Sequence, residues 1–169
     1  GEHNVRAYAT QGQLISDAVM ATYTVVEAPT PVEGIEYELV SSTDDLAEGT
    51  YVLVAGDGSA AAGAVSNNKL AEVTEDFEID DDVITVSTDA ILPLTLTKDK
   101  TGEGWYIMYD DQYLYAGSSG TNVSFGSEAC SWSITIENGV ATIIGANSST
   151  RLLLFRIGTG VGNYASANA

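Results

Sequence analysis

The stretch Trp105-Tyr-Ile-Met-Tyr109-Asp-Asp-Gln-Tyr113-Leu-Tyr-Ala-Gly117, followed after a short loop by Asn122-Val-Ser-Phe125, decides the fold. Two short blocks of bulky residues flank Asp110-Asp111, a polar pair favoured in tight turns. In the first block, alternation places Trp105, Ile107 and Tyr109 on one face and Tyr106 and Met108 on the other. In the second, Tyr113 and Tyr115 share a face opposite Leu114. A period of two residues is the signature of a strand, so the stretch reads as strand, tight turn, strand, short loop, strand.

The same unit recurs twice. An earlier copy is Tyr51-Val-Leu-Val, Ala60-Ala-Ala-Gly-Ala and Lys69-Leu-Ala-Glu-Val. A later one is Ala141-Thr-Ile-Ile, Arg151-Leu-Leu-Leu-Phe and Gly162-Asn-Tyr-Ala. The first two copies are each followed by a further strand, at Val83–Val86 or Leu92–Leu96 and at Trp132–Ile136. Tyr37–Val40 is expected to supply the missing strand of the third by closing a barrel. Asp57-Gly58, Asn67-Asn68 and Asn138-Gly139 supply turn residues that tolerate positive φ. The only helical pattern is Ser42–Gly49, a single turn capped by Ser or Thr and stopped by Gly. The expected class is all-β. Three copies of about four strands predict a closed, β-trefoil-like barrel, and the alternative is a simpler barrel of fewer, longer strands.

Upstream, residues 1–9 alternate with Val5, Ala7 and Ala9 on one face, and Val19, Ala21, Tyr23 and Val25 alternate after a turn at 11–13. This extra N-terminal β-hairpin would be marginal alone. The chain starts without Met or a signal segment, so the expectation is a piece of a longer protein whose leader lies elsewhere. Two prolines within Glu27–Gly34 predict a semi-rigid spacer. The expected organisation is therefore 1–27, a linker at 28–34 and a module over 35–169.

Acidic residues outnumber basic ones 24 to 6, for a net charge of -18. The six cations are scattered, which argues against nucleic acid and anionic membrane surfaces, and no apolar run is long enough to span a bilayer. Such acidity fits solubility outside the cell. Cys130, the only cysteine, rules out an internal disulfide and reads as a small buried residue. The only histidine, His3, lies in the hairpin, so no Cys–His pair is expected and no catalytic residue is assigned.

Two features are candidates for chemistry. The first comprises Trp105, Tyr106, Tyr109, Tyr113 and Tyr115 with Asp110, Asp111 and Gln112, and Asn122 nearby. Exposed rings stack on sugar C–H faces, while amides and carboxylates bond hydroxyls. Ordinary packing of aromatics on a sheet is the commoner role, and Trp132, alternating with Ile134 and Ile136, reads as core. The second is Glu75–Asp82, whose carboxylates lack the spacing and central Gly of a regular calcium loop. A solvated acidic loop guarding an edge strand is the expectation there, with no metal or cofactor.

Gly1-x-His3-x-Val5-x-Ala7-x-Ala9, then Ser16 and Ala21-x-Tyr23-x-Val25, resembles the end of a chitobiase/β-hexosaminidase C-terminal-type domain. The resemblance implies the last two strands of an immunoglobulin-like sandwich, with no catalytic residues to transfer. Tyr37-Glu-Leu-Val, Asp45-Leu46, Gly49-x-Tyr51-Val-Leu-Val, Tyr113-Leu-Tyr, Ser131-Trp132-x-Ile134 and Arg151-Leu-x-x-Phe155…Tyr164 resemble a C-terminal module of secreted multidomain proteins of Bacteroidota. Leu154-Phe155 stands where such modules have Tyr-Asn. This second resemblance implies an accessory, non-enzymatic part of a secreted, periplasmic or cell-surface bacterial protein. That setting tips the aromatic hairpin toward carbohydrate binding, and the alternative is a spacer or protein-interaction module. The chain is expected to be a monomer, with strand exchange open to its N-terminal hairpin.

Overall fold

The computed structural model describes residues 34–145 and 150–165 in full, and the backbone of residues 2–7, 10–11, 14–15 and 19–24. The chain divides into two compact units, Gly1–Val32 and Glu33–Ala169. In the first, β1 (Glu2–Ala7) pairs antiparallel with β4 (Val19–Thr24), setting Val5 opposite Ala21 and Ala7 opposite Val19. Between them β2 (Thr10–Gln11) pairs with β3 (Leu14–Ile15). The proline spacer at 28–34 lies outside the described residues except for Gly34.

The second unit is all-β. Its strands are β5 (Ile35–Glu38), β6 (Gly49–Tyr51), β7 (Ala61–Ser66), β8 (Lys69–Val73), β9 (Phe77–Asp80), β10 (Val83–Val86) and β11 (Leu94–Lys98). They continue as β12 (Trp105–Tyr109), β13 (Gln112–Ala116), β14 (Val123–Gly126), β15 (Ser131–Glu137), β16 (Val140–Gly145), β17 (Arg151–Arg156) and β18 (Gly160–Ala165). Eleven of these form one antiparallel sheet, ordered β14-β13-β12-β15-β16-β17-β18-β8-β7, with β11 pairing β12 and β6. Its ladders follow an open path and do not by themselves close into a barrel. Single bridges outside the strands join Val54 to Ala61, Ser42 to Glu137 and Gly63 to Ile91.

Turn chemistry explains the hairpins. Asn67 and Asn68 (φ 51 and 59), Asp110 and Asp111 (49 and 57) and Asn138 and Gly139 (51 and 77) all take left-handed backbone at both central positions. That pair of conformations matches the twist of the flanking strands, and Asn, Asp and Gly adopt it at least cost. Alternation then fills the interior. Trp132 and Leu114 are fully buried, packed with Trp105, Ile107, Leu94, Leu96, Ile134, Ile136 and Val123. The Trp132 indole N–H donates to the Leu114 carbonyl at 3.0 Å, so this large ring is buried without an orphaned donor.

Three expectations are corrected. Tyr37–Val40 does not complete the third copy: β5 pairs with β10, with Tyr37 opposite Ile84, in a separate three-stranded sheet β5-β10-β9. Burial explains the choice, since Tyr37 packs on a second core of Ala61, Ile84, Val86 and Ile91. The strand that follows the first copy in the large sheet is therefore β11, not Val83–Val86. The acidic stretch 75–82 is not a loop but contains β9, an edge strand whose Phe77 packs on that second core while Glu78 and Asp80 are exposed. Six carboxylates mask its period-two pattern. The Ser42–Gly49 turn is shorter than expected, a 3-10 turn over Thr43–Asp45 with no side-chain cap from Ser42. Thr43 instead anchors it to β15: its hydroxyl donates to the Ile136 carbonyl at 3.2 Å and accepts from the Ile136 N–H at 2.7 Å. Among the described residues no helix is long and apolar enough to cross a membrane.

Candidate functional site

The Asp110-Asp111 turn brings β12 and β13 together, and the sheet sorts their aromatics into three environments. Trp105 points inward and is 5% exposed, with the Lys98 ammonium 3.6 Å from its ring centroid. It presents no free face and cannot join a stacking platform, because it shares its side of the strand with Ile107, which the core claims. Tyr109 lies at the mouth of the inner face, exposed, with its ring 5.7 Å from that of Phe125. Tyr106, Tyr113 and Tyr115 are half-buried, Tyr106 and Tyr113 on the outer face and Tyr115 packed against the main core. Tyr106 and Tyr113 meet edge to face, 5.1 Å apart at 75°, an arrangement favoured by the ring quadrupoles. Asp110, Asp111 and Gln112 are exposed at the turn. Asp110 and Asp111 are there for backbone reasons, as their positive φ requires.

Pairing between β12 and β13 ends after Met108 opposite Tyr113. Beyond it β13 runs with β14, which sets Tyr115 opposite Ser124 and carries the chain into the loop 117–122. A cleft of about 290 Å³ opens here, lined by Tyr115, Gly117, Ser119, Asn122, Val123, Ser124 and Asn68. Asn68 arrives from the β7–β8 turn, and its carbonyl accepts from the Val123 N–H at 2.9 Å. The cleft thus joins Tyr115 and Asn122, both candidates from the sequence, to Asn68 and Ser124, which no sequence pattern marks for binding. Among the described residues the lining contains no charged side chain.

The loop forming one wall is held from behind. Asn163, only 2% exposed, donates its amide N–H to the Gly117 carbonyl at 2.8 Å and its backbone N–H to the Thr121 carbonyl at 3.1 Å. Lys69 Nζ donates to Thr121 Oγ1 at 2.8 Å. Arg151 Nη2 donates to the carbonyls of Gly120 and Asn163, the latter at 2.7 Å. These groups satisfy loop carbonyls that would otherwise be stranded. Sequence periodicity has no way to show this, because the three residues lie on β8, β17 and β18. The one hint is the presence of polar residues inside otherwise apolar strands.

A larger cleft, about 370 Å³, lies where β12 meets β15, lined by Asp99, Thr101, Glu103, Gly104, Ser131, Ser133, Ile144 and Gly145. Its Asp99 carboxylate is already committed. Asp99 accepts from the Ser131 hydroxyl at 2.5 Å, the Thr101 hydroxyl at 2.7 Å, and the Thr101 and Gly102 amides at 2.9 Å. The Ser131 and Thr101 hydroxyls lead in holding its pKa well below the usual carboxylate range. A group tied at both oxygens organises a turn and is poorly placed to meet a ligand. Cys130 is 3% exposed, and burial pushes its thiol pKa up, opposite to what a nucleophile needs. No three His, Cys, Asp or Glu side chains among the described residues gather as a metal site.

No protein-family model matches the chain, and neither a curated protein nor a solved structure matches it.

Proposed function

We propose that this protein is a non-catalytic accessory module of an extracellular, periplasmic or cell-surface bacterial protein, and that it binds carbohydrate. The observation that carries the reading is the convergence of Tyr115 with Asn68, Asn122 and Ser124 in one cleft. A phenol ring beside amides and hydroxyls offers what a sugar needs: an apolar face and uncharged groups that both donate and accept hydrogen bonds. The site moves from the turn toward the far end of β13, with Tyr113 and Tyr106 continuing the aromatic surface along the outer face. The setting rests on the resemblances to a Bacteroidota C-terminal module and to the end of a chitobiase C-terminal-type domain.

The same reading includes a trefoil-like barrel. Its support is that the eleven strands of the large sheet divide as four, four and three along the three sequence copies. The Val54–Ala61 bridge and the hydrogen bond from the Ala62 N–H to the Leu53 carbonyl, 2.8 Å, tie the continuation of β6, which branches from β12 through β11, to β7 at one end of the path.

One observation favours a spacer or protein-interaction role instead. Tyr106 and Tyr113 meet at 75°, so they do not offer two coplanar faces. Amide chemical shifts during titration with a panel of plant and host oligosaccharides distinguish the readings. Saturable shifts at Tyr115, Asn122 and Asn68, with affinity reduced about tenfold by Asn122→Ala, support binding. An absence of shifts across the panel supports the spacer.

A further inference from the structure

We infer that the Tyr115 cleft selects uncharged sugar residues and rejects acidic ones such as uronates; this rests on the carbohydrate-binding reading and names its ligand class. Three observations carry it. The first is the polar lining, which consists of two amides, Asn68 and Asn122, with the hydroxyls of Ser119, Ser124 and Tyr115. Every one of these groups can both donate and accept, which suits hydroxyls, and none can neutralise a carboxylate.

The two cations that touch the loop aim their terminal donors at the loop and at β18, away from the cleft lining, and Arg151 Nε is buried without a partner among the described residues. Lys69 Nζ sits on Thr121 Oγ1 at 2.8 Å, and Arg151 Nη2 serves the carbonyls of Gly120 and Asn163. Recruiting Arg151 to an anion would take its donor from the Gly120 and Asn163 carbonyls, and recruiting Lys69 would take its donor from the Thr121 hydroxyl, so the hydrogen bonds that hold the loop oppose it. The net charge of -18 adds a long-range contribution of the same sign, since the field of the whole molecule repels anionic ligands. Size sets the last limit. A cleft of about 290 Å³ lies at the small end for ligand sites. That suits a single sugar ring better than a branched epitope.

The test uses the full chain and paired probes: maltotriose, cellotriose, mannotriose and galactotriose, each against the same trisaccharide with its terminal hexose oxidised to the uronic acid. Titrations are followed by amide shifts at low ionic strength and at about 1 M salt, where the Debye length is ~3 Å. The expected result is saturable binding of at least one neutral trisaccharide, with its uronate about tenfold weaker or more at low salt. At high salt the gap should narrow, as the long-range repulsion is screened, but persist, as the lining still holds no cation. Equal or tighter binding of the uronate at the same residues would overturn the inference and leave carbohydrate binding standing. No shift with any probe would remove both. Ser124→Lys, at an exposed position of the lining, should raise uronate affinity several-fold while leaving the thermal midpoint unchanged. If uronate affinity does not rise, the missing cation is not what excludes the anion.

Discussion

Asn163 offers the sharpest test of how the cleft wall is held. Its side chain is 2% exposed and its amide N–H reaches the Gly117 carbonyl at 2.8 Å. Asn163→Leu keeps the branched outline of the side chain but deletes the donor, leaving the part-buried Gly117 carbonyl without it at a cost of about 1–3 kcal/mol. For a unit of this size each kcal/mol lowers Tm by about 2–4 °C, so a central cost of about 2 kcal/mol predicts a drop of about 4–8 °C. Asn163→Asp should behave differently. At neutral pH it would set a buried anion against a carbonyl oxygen, acceptor against acceptor, and desolvation would raise its folded-state pKa above the unfolded value of ~3.9. The protonated form, whose O–H can donate to Gly117, is then the compatible one. The penalty is accordingly absent below the unfolded pKa and grows as pH rises toward the raised one. Thermal denaturation followed by circular dichroism between about pH 4 and 8 should find the Asp variant the less stable of the two at neutral pH, at a cost of about 3–5 kcal/mol. The gap between the two variants should close on acidification. Equal midpoints at neutral pH, or a gap indifferent to pH, would refute the assignment of this hydrogen bond.

Asp99→Ala should cost stability chiefly above the ordinary carboxylate range. The wild-type carboxylate is held ionised by Ser131 and Thr101, so its stabilisation is full above the unfolded pKa and is lost as pH falls through the depressed folded value. The difference in Tm between the two proteins should therefore be constant above about pH 5 and shrink as pH falls below the unfolded carboxylate pKa of ~3.9. Because Trp132 and Trp105 are 0% and 5% exposed, acrylamide should quench the folded protein poorly and unfolding should raise the quenching constant; ligand binding should leave tryptophan emission unchanged. Trp132→Ala should cost about 3–5 kcal/mol, read by denaturant titration. Gly160 has φ +89, and a Cβ there would collide with the Leu70 carbonyl. Gly160→Ala should thus destabilise by about 1–3 kcal/mol or more, with exchange of the β8–β18 amides accelerated first.

What the sequence makes legible here is what depends on local chemistry. Asn67-Asn68, Asp110-Asp111 and Asn138-Gly139 announce their turns because few residues tolerate left-handed backbone, and the strands between them alternate because one face meets a core. Trp132 is readable as interior from Ile134 and Ile136 alone. The misplacements arise where partner choice is decided at a distance. Tyr37 goes to Ile84 and not to the end of the third copy because a second apolar cluster, itself assembled from residues 61–91, offers it burial. Trp105 and the outer tyrosines look alike as aromatics in one hairpin. Only the decision about which face is inside separates a ring covered by Lys98 from one that borders a cleft.

The same distinction accounts for the site. Tyr115 and Asn122 lie close together in one stretch of chain and can be seen together, whereas Asn68 enters from another hairpin and Asn163, Lys69 and Arg151 from three strands behind. None of the last three touches the cleft as lining, yet each directs a donor at the loop. A wall held by backbone carbonyls has to be braced by donors, and the cations that brace this one point their terminal donors away from the cleft lining. On the proposed reading, neutral selectivity and loop rigidity are two consequences of one hydrogen-bond arrangement. They should fail together: Lys69→Met, which frees Thr121, should loosen exchange protection across 117–122 and weaken neutral-sugar binding in the same variant. Loosened exchange with undiminished affinity would separate the two and show that the cleft does not depend on its bracing.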